Sequence, residues 1–180
     1  MSLYVDTSCL WKLLVDEPES ARVRDFVGNE PVMVVSSYAE FEAEQVLLAL
    51  RLGGKITARQ EARIGRVLAG FRGMEPFQHR ALPYDLARIA RQQVLSSGVY
   101  CRTADRLHLA AMEALGLRRL LTNDEPQATA ARALGFGVLL PREPRQGGGS
   151  RVSPLFPQMG DSGEVESSRD DVPISPKQTP

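Results

Sequence analysis

Leu3-Tyr4-Val5-Asp6-Thr7-Ser8 is the stretch that decides how the chain is read. Three apolar residues form a strand fit to be covered on both faces, and a carboxylate and two hydroxyls follow at once. Leu10, Trp11, Leu13 and Leu14 then set a helical period, with Thr7 or Ser8 as the expected cap. A strand that runs straight into a helix opens a parallel α/β unit. In such sheets the crevice lies beyond the carboxyl ends of the strands, which is where Asp6 sits. The rest of the chain is read by asking which other carboxylates reach that edge.

Working outward, Pro31-Val32-Met33-Val34-Val35-Ser36 reads as a second, β-branched strand. Ser36 or Ser37 caps a long helix from about Tyr38 to Leu52, whose expected inward stripe is Tyr38, Phe41, Val46, Leu48 or Ala49, and Leu52. Gly53-Gly54 ends it. Thr57 caps another helix, on which Arg59, Arg63 and Arg66 form a solvated face, and Gly70, Gly73 and Pro76 break the chain. Helices follow over 85–95 and, capped by Thr103, over 104–115. Leu120-Leu121-Thr122 is a short strand ending in Asn123-Asp124, before a helix over 126–134 and a final strand over 136–140. Strands alternating with helices in this order predict an α/β fold with a parallel sheet and right-handed crossovers.

The 180 residues, 43% of them apolar, suffice for one core, so a single domain is expected over 1–143. From there Pro, Ser, Gly and acidic residues dominate, and 144–180 reads as a disordered tail. Val152, Leu155, Phe156 and Met159 are either a short docking motif or stray apolar residues in it. A net charge of zero gives no global pull toward a polyanion, so any basic surface must be local. Cys9 and Cys101 fit no zinc spacing and point to a reducing, cytoplasmic setting. No signal peptide is read at the N-terminus, and no apolar run is long enough to cross a bilayer, so no membrane partner is expected.

Asp6 and Asp124 share one local pattern: apolar strand, carboxylate at its exit, helix next. Glu42 lies one turn into the helix after the second strand, and Asp105 lies in the first turn of the helix that Thr103 opens. All four can meet on one rim. Singly, an Asp at a helix start reads equally as a cap or a dipole partner, and Glu42, between Glu40 and Glu44, as a solvated helix face. Together they repel unless a cation compensates. Oxygen donors without His or Cys suit a hard ion, Mg2+ or alternatively Mn2+, which binds phosphates and acidifies water. Thr7, Ser8 and Thr122 are the candidates for holding these carboxylates or a bound water. Arg102 and Arg106 flank Asp105 and either contact substrate phosphates or pair with the acidic site. His108, one turn beyond Asp105, faces the site or is a satisfied core residue.

At these residues the sequence resembles the PIN-domain family, and within it the VapC-type toxins of bacterial toxin–antitoxin pairs. The matching stretches are Tyr4-Val5-Asp6-Thr7-Ser8, Ser36-Ser37-Tyr38-Ala39-Glu40-Phe41-Glu42, Gly54-Lys55-Ile56-Thr57, Arg102–Ala110, Leu121-Thr122-Asn123-Asp124 and Ala130–Gly135. The resemblance implies a three-layer α/β/α fold around a parallel sheet of about four to five strands, and a Mg2+-dependent endoribonuclease. Asp6, Asp105 and Asp124 would be its metal ligands and Glu42 would complete the catalytic set, with Glu40 the alternative to Glu42. The implied partners are an RNA substrate, a small VapB-like antitoxin lying over the acidic rim, and a second copy of the chain. Arg106 departs from the small apolar residue of close relatives, and the tail exceeds their compact length.

Two other readings stay open. A PIN-like module could bind RNA or a partner without cutting. A phosphatase of the haloacid-dehalogenase type also begins with a strand ending in Asp, but needs a second Asp where this chain has Ser8. For the nuclease, Asp6→Asn is expected to abolish cleavage with the fold intact and, by relieving repulsion, to stabilise the metal-free protein.

Overall fold

A computed structural model describes residues 2–142. The expected tail at 144–180, its apolar residues and the domain boundary at 143 lie outside the described residues.

In chain order the elements are β1 (Leu3–Val5), α1 (Thr7–Leu14), α2 (Ser20–Asn29), β2 (Met33–Ser36), α3 (Ser37–Leu52), α4 (Ala58–Gly70), a 3-10 turn at Phe71–Gly73, β3 (Phe77–Arg80), α5 (Leu86–Ser97), α6 (Thr103–Ala114), β4 (Arg119–Leu121), α7 (Glu125–Ala133) and β5 (Gly137–Leu139). The five strands form one sheet in the order β3-β2-β1-β4-β5. Every pairing is parallel, as in Tyr4 with Val34 on one side and Leu120 on the other. The chain moves outward from β1 to β2 and β3, then returns to the far side of β1 as β4. That reversal opens the crevice beside the carboxyl end of β1.

Strand alternation divides the core into two layers. Leu3, Val5, Met33 and Val35 pack against the first four helices through residues such as Leu10, Val23, Ala43 and Leu68. Tyr4, Val34 and Leu120 point to the other face and pack with Leu109 and Met112 of α6 and Ala130 and Ala131 of α7. The three-layer α/β/α architecture with a parallel central sheet is therefore present, at the upper end of the expected strand number.

Four local expectations are corrected. The fifth strand, β3, falls where the sequence offered only chain breakers. Phe77-Gln78-His79-Arg80 has one buried apolar residue, so its backbone pairing with Met33–Ser36, not its composition, makes it an edge strand. The inward face of α3 is Ala39, Glu40, Ala43 and Leu47. The expected stripe faces out, with Phe41 53%, Leu48 38% and Leu52 71% exposed. A helix with apolar residues on two sides has no unique stripe, and the small Ala39 and Ala43 permit the closer approach. Finally, Asp6 itself caps α1, accepting Ser8 N–H at 3.2 Å, where Thr7 or Ser8 was the expected cap. Thr103 is the first residue of α6 and Arg102 holds its cap position without a side-chain bond. Ser36 and Thr57 cap α3 and α4 as their positions suggest.

Candidate active site

Asp6 leaves β1 with its side chain 4% exposed, and the neighbouring strand end supports it. Its Oδ2 accepts the Ser8 hydroxyl at 2.6 Å and the Thr122 hydroxyl at 3.0 Å. Thr122 follows β4, the parallel neighbour of β1, so register alone brings the two together. Ser8 Oγ in turn accepts Asn123 N–H at 3.0 Å, which pins the β4 exit to α1. Capping and site membership are thus not alternatives for Asp6. Bonds to Ser8 and Thr122 gather on Oδ2, while Oδ1 has a long contact with Gln127 Nε2 at 3.4 Å.

Asp124 caps α7 through Oδ1, which accepts Gln127 N–H at 2.8 Å, and its own N–H goes to Thr122 Oγ1 at 3.0 Å. Single residues therefore link Asp6 and Asp124 twice, through Thr122 and through Gln127. Gln127 is fully buried, and its side-chain amide also points at the Asp105 carbonyl at 3.5 Å.

Asp105 enters from the first turn of α6. Its Oδ2 is buried without a hydrogen-bond partner. Burial, then the negative charges of Asp124 and Asp6, raises its carboxyl pKa from 3.8 to about 6. A carboxylate oxygen held dry beside two others, with no donor supplied, is a ligand position for a cation.

Glu42 joins the group through His108. The imidazole is 1% exposed, and its Nε2 lies 2.7 Å from Glu42 Oε2 and 3.2 Å from Asp6 Oδ1. Thr7 donates its hydroxyl to the same Glu42 oxygen at 2.6 Å. Burial pulls Glu42 upward, but the bonds from His108 and Thr7 outweigh it and hold the carboxyl below its ordinary range. Burial likewise opposes charge on His108, yet Asp6 and Glu42 hold it above the usual histidine range. His108 Nδ1 lies 2.7 Å from the Tyr4 hydroxyl, which lies 2.7 Å from Ser36 Oγ, the cap of α3. Tyr38 covers the ring at 4.8 Å, and burial together with Glu42 raises its hydroxyl to about 12.

Asp6, Glu42 and Asp124 thus stand along one connected network at the carboxyl edge of the sheet, which Asp105 borders through its carbonyl contact with Gln127. Glu40 does not join it. Its carboxylate is taken by Arg72 at 2.8 and 2.6 Å, on the other side of α3. Of the two arginines, Arg102 is exposed at the rim, whereas Arg106 is 4% exposed. The Arg106 Nη2 donates to the Val99 carbonyl at 2.5 Å, and its Nε and Nη1 have no partner. The phosphate contact expected of Arg106 is therefore not available to it as it stands, because the chain through Val99 and Cys101 covers it. Arg59, Arg63 and Arg66 are exposed, as a solvated face requires. Tyr4, Tyr38 and Gln127 were not singled out from sequence. The signal for Gln127 was its place one helical step after a capping Asp, but only the fold shows that it reaches back to Asp6.

Among the described residues no three His, Cys, Asp or Glu side chains are close enough to enclose an ion unaided. The donor set still fits a hard cation that retains most of its water and takes only one or two carboxylates directly. Among the described residues no helix is long and apolar enough to cross a membrane.

Comparison with known proteins gives the family and the fold. The PIN domain family matches residues 3–133. Ribonuclease VapC46 of Mycobacterium tuberculosis is 33% identical over 147 residues, covering 78% of this chain and 98% of the relative. Among solved structures, Mycobacterium tuberculosis VapC20, described as a Sarcin-Ricin loop cleaving toxin, superimposes with a TM-score of 0.56 at 19% identity, covering 74% of this chain and 95% of that one. VapBC2 from Rickettsia felis, bound to a DNA fragment from their promoter, gives 0.55 at 10% identity, covering 78% and 98%.

Proposed function

Since the chain belongs to the PIN-domain family, in its VapC-type branch, we propose that it is a Mg2+-dependent endoribonuclease, a toxin that hydrolyses RNA phosphodiester bonds. The observation that carries the metal-dependent part is Asp105 Oδ2, buried without a partner beside Asp6 and Asp124. Asp6 through Oδ1 and Asp105 through Oδ2 would hold the ion. Asp124, its Oδ1 engaged by Gln127 N–H, completes the negative rim. Bound there, Mg2+ would supply charge neutralisation for the scissile phosphate and a more acidic water.

The chain's own residues do the rest. Ser8 and Thr122 hold Asp6 by Oδ2. Thr7 and His108 fix Glu42 by Oε2, so that this carboxylate can accept a proton from an attacking water. The exposed Arg102 is placed to take an RNA phosphate beside the rim.

The proposal extends to partners and place. A small VapB-like antitoxin covers the acidic rim, two copies of the chain associate, and the protein works in the cytoplasm. The exposed apolar residues of α3, Phe41, Leu48 and Leu52, are the face offered to the second copy. Leu52→Asp is expected to shift the mass in sedimentation to that of a monomer.

The test is cleavage of RNA by the full chain with Mg2+ and with EDTA, beside Asp6→Asn, together with growth on expression with and without the small protein encoded next to it. Cleavage that needs Mg2+ and Asp6 is expected. Equal cleavage in EDTA or by Asp6→Asn would refute the assignment.

A further inference from the structure

The first four helices and the last three lie on opposite faces of the sheet, yet the site needs Glu42 from α3 and Asp105 from α6 on one rim. One side chain spans the gap. His108 leaves α6 fully buried, passes beside the end of β1 and reaches Glu42 on α3. Both of its nitrogens are engaged, Nε2 with Glu42 at 2.7 Å and Nδ1 with Tyr4 at 2.7 Å. The ring lies against Tyr4 edge-on at 5.7 Å and under Tyr38 at 4.8 Å, so it has no room to rotate.

Traced through, these contacts close on themselves. Ser36 caps α3 and holds the Tyr4 hydroxyl, Tyr4 holds His108, and His108 returns to α3 six residues beyond the cap, at Glu42. An imidazole with a proton on Nε2 donates to Glu42, and the Tyr4 hydroxyl can serve Nδ1 as donor or acceptor. Burial keeps that hydroxyl protonated, so it can play either part. Without the imidazole, Glu42 would keep Thr7 and the Tyr38 hydroxyl but lose the donor that it shares with Asp6.

We propose that His108 is the positioning residue of this site, holding the Glu42 carboxylate against Asp6 while Tyr4 holds the imidazole. The inference rests on the reading of the site as a metal-bound ribonuclease. His108 touches neither substrate nor leaving group. It sets where one carboxylate stands, and displacement of a reacting group by an ångström costs about a hundredfold in rate.

The experiment compares His108→Ala, His108→Gln and Tyr4→Phe in the full chain. His108→Ala should lower kcat about a hundredfold with KM for RNA little changed. His108→Gln, whose amide N–H can still donate to Glu42, should recover most of that loss. Tyr4→Phe should lower kcat less, and should lower the thermal midpoint because Ser36 and His108 Nδ1 lose a buried partner. Mn2+ affinity read by electron paramagnetic resonance should not fall in any of the three, since Asp6 and Asp105 remain and no donor to the ion is removed. Crystal structures of the two His108 variants give the direct readout, with Glu42 displaced from Asp6 in the alanine variant and in place in the glutamine variant. A parent that neither binds Mn2+ nor cleaves RNA would sink the nuclease reading itself. Positioning is overturned separately if Glu42 keeps its place in His108→Ala, or if kcat of that variant stays within about twofold. Should His108→Ala fail to fold, equal kcat in parent and Tyr4→Phe, or His108→Gln with Glu42 in place and turnover still lost, would overturn it.

Discussion

Thr122 donates its hydroxyl to Asp6 Oδ2 at 3.0 Å, and Thr122 Oγ1 itself accepts the Asp124 N–H at 3.0 Å. One hydroxyl therefore sets the spacing of two rim carboxylates that lie 118 positions apart, at Asp6 and Asp124. Thr122→Val keeps the shape and removes both bonds. It should destabilise the protein by about 1 kcal/mol, because the Asp124 N–H loses its partner and Asp6 Oδ2 keeps only Ser8. It should also weaken Mg2+ binding about tenfold or more, as loss of a group that orients a ligand does. Thr122→Ser should restore both. Urea unfolding and Mg2+-dependent shifts in thermal midpoint measure the two effects, and a valine variant with unaltered Mg2+ response would detach Thr122 from the site.

Glu40 and Glu42 share a helix and should behave oppositely. Glu40 is bound by both arms of Arg72 and lies 3.7 Å from His79, with no bond to the rim. Glu40→Gln is expected to lower the thermal midpoint and leave kcat near the parent value. Glu42→Gln is expected to lower kcat by about two orders of magnitude or more while the fold persists. A single table of kcat and midpoint for the two variants decides this, and the reverse pattern would transfer the catalytic role to Glu40.

The contrast shows where the sequence could be read and where it could not. Asp6 and Asp124 were legible because strand exits in a parallel sheet converge by topology, whatever surrounds them. The choice between Glu40 and Glu42 was not settled by the helix, since they lie on different sides of it and the expected inward face proved to be the wrong one. Ala39 and Ala43 turned α3 so that Glu40 was buried and Phe41 exposed. The strand at Phe77–Arg80 was hidden for a related reason: an edge strand is made by the backbone of its neighbour and needs little apolar content. His108 and Gln127 depend on contacts across more than sixty and more than a hundred positions, to Glu42 and Asp6 respectively, which no local pattern carries.

Asp105 is where charge repulsion is stored. Asp6 is richly hydrogen bonded, so the stabilisation first expected of Asp6→Asn belongs instead to Asp105→Asn. The folded carboxyl titrates near 6 against 3.8 unfolded, burial being the first cause and the two neighbouring carboxylates the next. The folded state thus binds the proton more tightly, and stability of the metal-free protein falls as pH rises through that interval. Above about pH 6 the loss is complete, and Asp105→Asn should then be the more stable protein by about 1 kcal/mol, discounted for a half-exposed group. The variant should gain no stability from added Mg2+. Denaturant unfolding at pH 4 and pH 7.5, with and without Mg2+, tests both statements, and a variant less stable than the parent at pH 7.5 without metal would contradict the first.

The Glu42–His108 pair has a two-sided pH dependence where that of Asp105 runs one way, and the two can be separated. Glu42 titrates below its ordinary 4.5, so its contribution is present above that value and is lost as pH falls through the folded pKa. His108 titrates above its ordinary 6.5, so its contribution is present below that value and is lost as pH rises through the folded pKa. The two groups share a hydrogen bond and titrate as a pair, not as independent sites. Their joint stabilisation is therefore complete between about pH 4.5 and 6.5 and declines on either side. In the difference between parent and Glu42→Gln, both without metal, the Asp105 contribution largely cancels because that residue is untouched. Unfolding free energies taken from pH 3.5 to 9 should give a difference curve that is highest in the middle of the range. A difference that is flat across it would mean that Glu42 and His108 meet as neutral groups, with no ion pair to hold the carboxylate against Asp6.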